Sequence, residues 1–247
     1  MLPPFVHDTL AWIRSETILS AGAAPSPAGE APAADTGAYA APMAAAIAGA
    51  FGAGALILFW SLGLPPLAVA AVSLAALAAI TGVRFESGIV RAGDKFSGRA
   101  GVGTAALLFL LLAEIAALDG LIALHAPSAT LALIAAVVLG FAASIAFRLT
   151  QPSFQAANVE ETERRAPNSG LQGLMVITIV LAAVMLLPVF RIGPTAAGFV
   201  AAVAGFVAVV ALTKNQITAD VPDNSFAAGK VAEVAALLAI LAFSRTS

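Results

Sequence analysis

From Thr36 to Val83 the chain runs 48 residues without one charged side chain, and no other feature limits its folding options as severely. At about 20 residues per crossing, the stretch is long enough for two membrane helices. Pro65 and Pro66 divide it, so spans are expected near 42–62 and 67–83, joined as a helical hairpin. Similar apolar runs lie near 101–124, 128–147, 170–190, 194–212 and 226–243. These seven candidates predict six or seven crossings. β-Barrel strands would be about ten residues long and would alternate in polarity, whereas these runs are about twice that length and unbroken. Composition agrees, because 60% of the residues are hydrophobic and 11% charged, against about 25% charged in an ordinary soluble domain. The expected fold is an all-α polytopic integral membrane helical bundle.

The charges that remain are unevenly placed. Counted over alternate connections, Arg14, then Arg84, Arg91, Lys95 and Arg99, then Arg148, Arg164 and Arg165, then Lys214 fall on one side, while Arg191 and Arg245 fall on the other. Basic residues are retained in the cytoplasm, which predicts a cytoplasmic amino terminus and an inner-membrane location. Asp8, Arg14 and Glu16 interrupt any apolar core of a cleavable signal. Phe5, Trp12, Ile13 and Ile18 among those charges instead suggest a short helix on the inner leaflet. Residues 1–36 read as that segment with an Ala/Pro/Gly-rich linker, and 37–247 as one transmembrane domain with polar loops 84–100, 148–169 and 213–225. A net charge of -2 excludes a nucleic-acid binder. The lack of cysteine excludes disulfides, thiolate metal sites and cysteine nucleophiles. No internal repeat is visible, which gives an inverted-repeat transporter little support.

Chemistry has to come from few polar residues, and the string TGVRFESGIVRAGDKFSGRAGVGT from Thr81 to Thr104 holds six of the charges. Gly82, Gly88, Gly93, Gly98, Gly101 and Gly103 suit positive φ angles and close backbone approach to a phosphate or a metal. Glu86 and Asp94 are candidate ligands for magnesium on a diphosphate, and Arg84, Arg91, Lys95 and Arg99 are candidates to neutralise its phosphates. The competing reading is a solvated loop whose basic residues only set topology.

This string resembles the cobalamin synthases, the adenosylcobinamide-GDP ribazoletransferases. In that family the second span leads into a loop of pattern T-G-x-x-H-x-D-G-x-x-D-x-x-D-G, followed by D-S-R-x-G. Thr81, Gly82, Gly88 and Asp94 fall on the pattern without a gap, Glu86 matches the H-E-D form, and Arg99 and Gly101 match the second motif. Phe85 replaces the family histidine, Ser87 and Arg91 replace two aspartates, and Lys95 replaces a glycine. The resemblance extends to Met1-Leu2-Pro3-Pro4-Phe5 with Asp8, and to Gln216-Ile217 with Asp223 before the last helix, where the spacing from Asp223 to Glu233 is also kept.

The resemblance implies a transferase joining α-ribazole, or its 5′-phosphate, to adenosylcobinamide-GDP with release of GMP. It implies Glu86, Asp94 and Asp223 as a reduced Mg2+ site, Glu86 and Asp94 as catalytic acids, and Arg99, Gly88 and Gly101 as substrate contacts. Partners would be these corrinoid and ribazole substrates and the lipid bilayer, with a second copy of the chain or other corrinoid-pathway enzymes as further candidates. The alternatives are an inactive paralogue with a binding or assembly role, and a small membrane transporter.

Glu114 and Lys230 lie inside apolar runs, where a charge is expensive and marks a functional position by default. The family places a basic residue at the first position and an acid or Gln at the second, so the resemblance implies a charge-swapped pair. Glu233, three residues beyond Lys230, is the local alternative. Asp119, His7 and His125 are expected to carry no chemistry, and Glu160, Glu161, Glu163, Arg164 and Arg165 read as a solvated, locally paired stretch. Ala46, Gly49, Gly52 and Gly54 are expected to serve close helix packing.

Overall fold

The computed structural model describes residues 4–17, 38–150, 169–213 and 221–246. Among them are no strands. The helices are α1 (Pro4–Glu16), α2 (Ala41–Ser61, preceded by a single 3-10 turn at Ala38–Ala40), α3 (Pro66–Ile80), α4 (Arg84–Ser97), α5 (Val102–Thr150), α6 (Ser169–Leu186), α7 (Ile192–Thr213) and α8 (Val221–Ser244). The all-α membrane bundle is therefore the fold. Of the described helices, four are long and apolar enough to cross a membrane, or five if α3 and α4 count as one bent span.

This number is lower than the expected six to seven because α5, counted once, holds two of the expected runs and the described apolar stretch of α6 is short. The apolar stretch of α6 among the described residues, Leu171–Leu186, is near the lower limit of a span. The runs 101–124 and 128–147 both fall within α5, which is two helical segments broken by the extended backbone of His125 (φ -167°, ψ 106°) ahead of Pro127. Proline lacks the N–H that an unbroken helix needs and suits a helix start. Beyond the break, His125 Nδ1 and Ser128 Oγ share a hydrogen bond at 2.6 Å. The chain turns back at this point. Glu114 and Gly140, twenty-six positions apart, would be about 39 Å apart on a straight helix, yet both meet the same stretch of α8. Lys230 Nζ lies 2.8 Å from Glu114 Oε1, and a Cβ added at Gly140 would be 2.8 Å from Gly229 O.

Small residues set the helix separations, as expected for Gly49 and Gly52. A Cβ at Gly49 would stand 3.1 Å from Ile134 Cα, and one at Gly52 would stand 3.3 Å from Ser73 O and Leu77 Cβ. Ala46 is also buried. Gly54 differs, meeting nothing within 4 Å. Leu56, Leu118, Leu121, Ile122, Leu133, Leu237 and Ile240 fill the centre between α2, α5 and α8.

One end of this bundle gathers the polar groups. There α1 packs through Trp12 against Ala38, Ile145 and Leu174, and Tyr39 donates its hydroxyl to Asp8 Oδ2 at 2.7 Å. A helix is thus present near the amino terminus, tied to the bundle over its described residues. Ile18 and the linker to position 37 lie outside the described residues, as do Glu160, Glu161, Glu163, Arg164, Arg165, Lys214, Gln216 and Ile217.

Candidate functional site

The segment 84–100, expected as a loop, is mostly helix α4, and it crosses the polar end of the bundle. α3 closes with Gly82 at φ 64° and Val83 at φ 58°, and Val83 N–H donates back to Ala78 O at 2.8 Å. The left-handed pair turns the chain by 87° between α3 and α4. A β-branched residue at positive φ is strained by about 1–3 kcal/mol, so the bend is held by the contacts beyond it. Those contacts come from one face of α4: Phe85, Glu86, Gly88, Ile89 and Ala92 are buried. Their helical spacing makes α4 amphipathic, a pattern that its charges and glycines obscure.

Glycines in this region serve helix contact. A Cβ at Gly88 would stand 2.5 Å from Phe226 Cβ and 3.0 Å from Asp223 O, and one at Gly229 would stand 2.6 Å from Phe85 Cε1. Phe85, at the position of the family histidine, fits over Gly229 and packs its ring 4.8 Å from Phe141 and 5.3 Å from Phe226. Gly88, expected as a substrate contact, is thus enclosed between α4 and α8. Gly101 keeps a positive φ of 91° with open space around it.

Beneath α4 lies a buried charge cluster. Lys230 Nζ is 2.8 Å from Glu114 Oε1, 3.4 Å from Glu233 Oε1 and 3.8 Å from Glu86 Oε1. The charge-swapped pair and its local alternative are both present, sharing one ammonium. Glu86 joins them from α4, a link absent from the expectations because nothing in the sequence connects positions so far apart. Above the cluster, Asp223 receives Arg91 Nε at 3.0 Å and Lys95 Nζ at 3.4 Å. Asp94 Oδ1 accepts the Gly103 N–H at 2.7 Å, which satisfies a free donor at the start of α5. Arg148 was expected only to set topology. Its Nε donates to Ser225 Oγ at 3.0 Å, and its guanidinium lies 4.8 Å from the Phe226 ring centre.

The three acids expected to hold Mg2+ therefore have three different protein partners: Lys230 for Glu86, the Gly103 N–H for Asp94, and Arg91 with Lys95 for Asp223. No group of three or more acids or histidines among the described residues is arranged to hold a metal ion. Carboxylates already faced by ammonium or guanidinium groups make a poor donor set for a divalent cation, so Glu86, Asp94 and Asp223 do not fit as one magnesium site. The surface over α4 still offers cations at Arg91 and Lys95, and it offers the exposed Arg99, whose guanidinium has no partner among the described residues. By contrast, a cavity of about 600 Å3 between α5, α6 and α7 is lined almost wholly by apolar side chains such as Leu139, Phe199 and Phe206. Its threonines, Thr150 and Thr178, give their hydroxyl protons to Phe147 O and Leu174 O in their own helices. It suits hydrocarbon, and the charged groups lie at the polar end.

Comparison with known proteins places this arrangement. The chain is 30% identical over 223 residues to an adenosylcobinamide-GDP ribazoletransferase of Azorhizobium caulinodans, covering 84% of each sequence. No family model matches the chain, and no solved structure does. The similarity spans the bundle as well as the polar end, and with the substitutions at Phe85, Ser87, Arg91 and Lys95 it identifies the chain as a divergent member of the adenosylcobinamide-GDP ribazoletransferase, or cobalamin synthase, family.

Proposed function

We propose that this protein is an integral inner-membrane transferase that joins α-ribazole, or its 5′-phosphate, to adenosylcobinamide-GDP. In this reaction a free ribose hydroxyl of α-ribazole attacks the phosphoryl group bonded to the cobinamide, its proton passes to a base, the P–O bond of the diphosphate bridge breaks, and GMP leaves. The observation that carries the reading is the similarity over 84% of the chain to a ribazoletransferase; the polar end of the bundle supports it. Phosphoryl transfer depends chiefly on positioning and charge stabilisation. Arg99, with Arg91 and Lys95 on α4, would neutralise the phosphates, and the open turn at Gly101 would let the backbone approach them. Asp94 keeps Oδ2 without a partner among the described residues, so it is the acid suited to take the proton of the attacking hydroxyl. Glu86, facing Lys230 below the surface, would hold α4 in place. Retention of basic residues turns this end toward the cytoplasm, where the substrates are soluble.

Purified protein in lipid, supplied with adenosylcobinamide-GDP and α-ribazole with or without magnesium, should release GMP and form the completed cobalamin. Asp94→Asn should lower the rate with the protein still folded. Absence of product above an empty-membrane control, while the Azorhizobium relative is active in parallel, would replace this reading with that of a non-catalytic paralogue. Accumulation of radiolabelled corrinoid in sealed vesicles without product would replace it with transport.

A further inference from the structure

The apolar face of α4 is longer than the surface it packs on. Phe85, Ile89, Ala92 and Phe96 recur at helical spacing and share one side of the helix. The first three are 4%, 5% and 9% exposed, whereas Phe96 is 52% exposed. The break in burial follows from where α4 crosses α5. A Cβ added at Gly93 would stand 2.6 Å from Gly103 Cα, and Ile89 and Ala92 pack with Ala106, Leu107 and Leu110. Phe96 lies about 4.5 Å along the helix beyond that crossing, and its ring has no aromatic partner among the described residues. Because α4 stands at 87° to α3, it runs along the bilayer surface where the bundle helices cross. The face that rests on the bundle is the face turned toward the bilayer interior, so the overhanging Phe96 meets lipid. Val102, Phe109 and Leu112 share one side of α5 just past the turn, are also exposed, and continue this apolar surface into the membrane.

The charge beside Phe96 has the sign that suits such a position. Ser97 Oγ accepts the Arg99 N–H at 3.2 Å, which fixes the turn, and the exposed Arg99 guanidinium has no partner among the described residues. An apolar side chain flanked by an uncompensated cation is the pattern of a segment seated in the interface of an anionic membrane. We propose that the end of α4 is a lipid anchor, in which Phe96 enters the boundary between headgroups and acyl chains while Arg99 binds the phosphate of an anionic phospholipid. The anchor sets the depth of the turn between α4 and α5. It rests on the membrane bundle and not on the transferase reading, under which lipid phosphate and substrate phosphate compete for one guanidinium.

The chain has no cysteine, so Phe96→Cys, Val102→Cys and Arg91→Cys each place a single nitroxide label on the full chain in lipid nanodiscs. Electron paramagnetic resonance then compares collisions with oxygen, which concentrates in lipid, and with a water-soluble nickel chelate. Labels at positions 96 and 102 are expected to favour oxygen severalfold more than the label at position 91, which lies about 140° around the helix from Phe96. Replacing phosphatidylcholine with an equal mixture of phosphatidylcholine and phosphatidylglycerol should raise the oxygen preference at position 96 further, and Arg99→Gln should abolish that rise. A label at position 96 as accessible to the chelate as the one at position 91 would overturn the proposal. So would a depth indifferent to phosphatidylglycerol, or protection of position 96 from both reagents, which would put the ring against protein. Inorganic phosphate added to phosphatidylcholine discs separates the two sources of phosphate. No change in depth is expected, and a change equal to that produced by phosphatidylglycerol would contradict the assignment to lipid.

Discussion

Asp223 and Lys230 lie seven residues apart on α8, about 10 Å along its axis, and both are engaged by charged groups from α4. Their surroundings separate them. Arg91 and Lys95 are 58% and 44% exposed where they meet Asp223, whereas Lys230 and Glu114 are 3% and 0% exposed where they meet each other. In water the first set can exchange protein partners for solvent or for a phosphate at little cost, so it suits substrate binding. The second set has no such exchange available, and its cations and acids must be kept together. Burial, more than the residue types, leaves one cluster open to exchange its partners and commits the other to holding α4 on the bundle.

The largest effect is expected in the buried cluster. Truncating one partner of a buried ion pair costs about 3–5 kcal/mol, so Lys230→Ala should lower the unfolding midpoint in lipid more than any other single change considered. Glu114→Ala should be milder, because Glu233 and Glu86 still face the lysine. The double variant Glu114→Ala with Lys230→Ala should be more stable than the sum of the single effects implies; simple additivity would contradict the contact.

Next comes the seat of α4. Gly88→Ala would place a methyl group against Phe226 Cβ and Asp223 O, and overpacking of this kind costs about 1–3 kcal/mol. Thermal unfolding should detect it, and a neutral result would mean that α4 is not in close contact with α8. Asp94→Ala should remove the cap on Gly103 at about 1 kcal/mol, read in the same assay. The smallest effect belongs to the exposed set: Arg91→Ala should change stability by less than about 1 kcal/mol, diminishing further in high salt. It should weaken substrate binding more than it weakens the fold, which separate measurements of KM and unfolding would reveal.

The lipid-embedded part was legible in the sequence because unbroken apolar runs have few other structural solutions. What could not be read was how consecutive runs connect. His125 and Pro127 mark the break in α5, yet only the meeting of Glu114 and Gly140 with one stretch of α8 shows the chain turning back. α4 departs from the expected loop because its five charged residues conceal a buried face at Phe85, Gly88, Ile89 and Ala92. The acids were legible as candidates but their partners were not. Lys95 meets Asp223 across 128 positions and Lys230 meets Glu114 across 116, and no local pattern encodes such pairings. Arg148, bonded to Ser225 across 77 positions, escaped notice because an arginine at the end of an apolar run already has a sufficient explanation in topology.

Amide hydrogen exchange along positions 84–97, measured on the full chain in lipid, tests most directly whether this charged segment is a clamped helix. Slow exchange at Ile89 and Ala92, close to that of the core of α8 and accelerated in Lys230→Ala, is the predicted result. Exchange as fast as an open loop in the wild-type protein would contradict it.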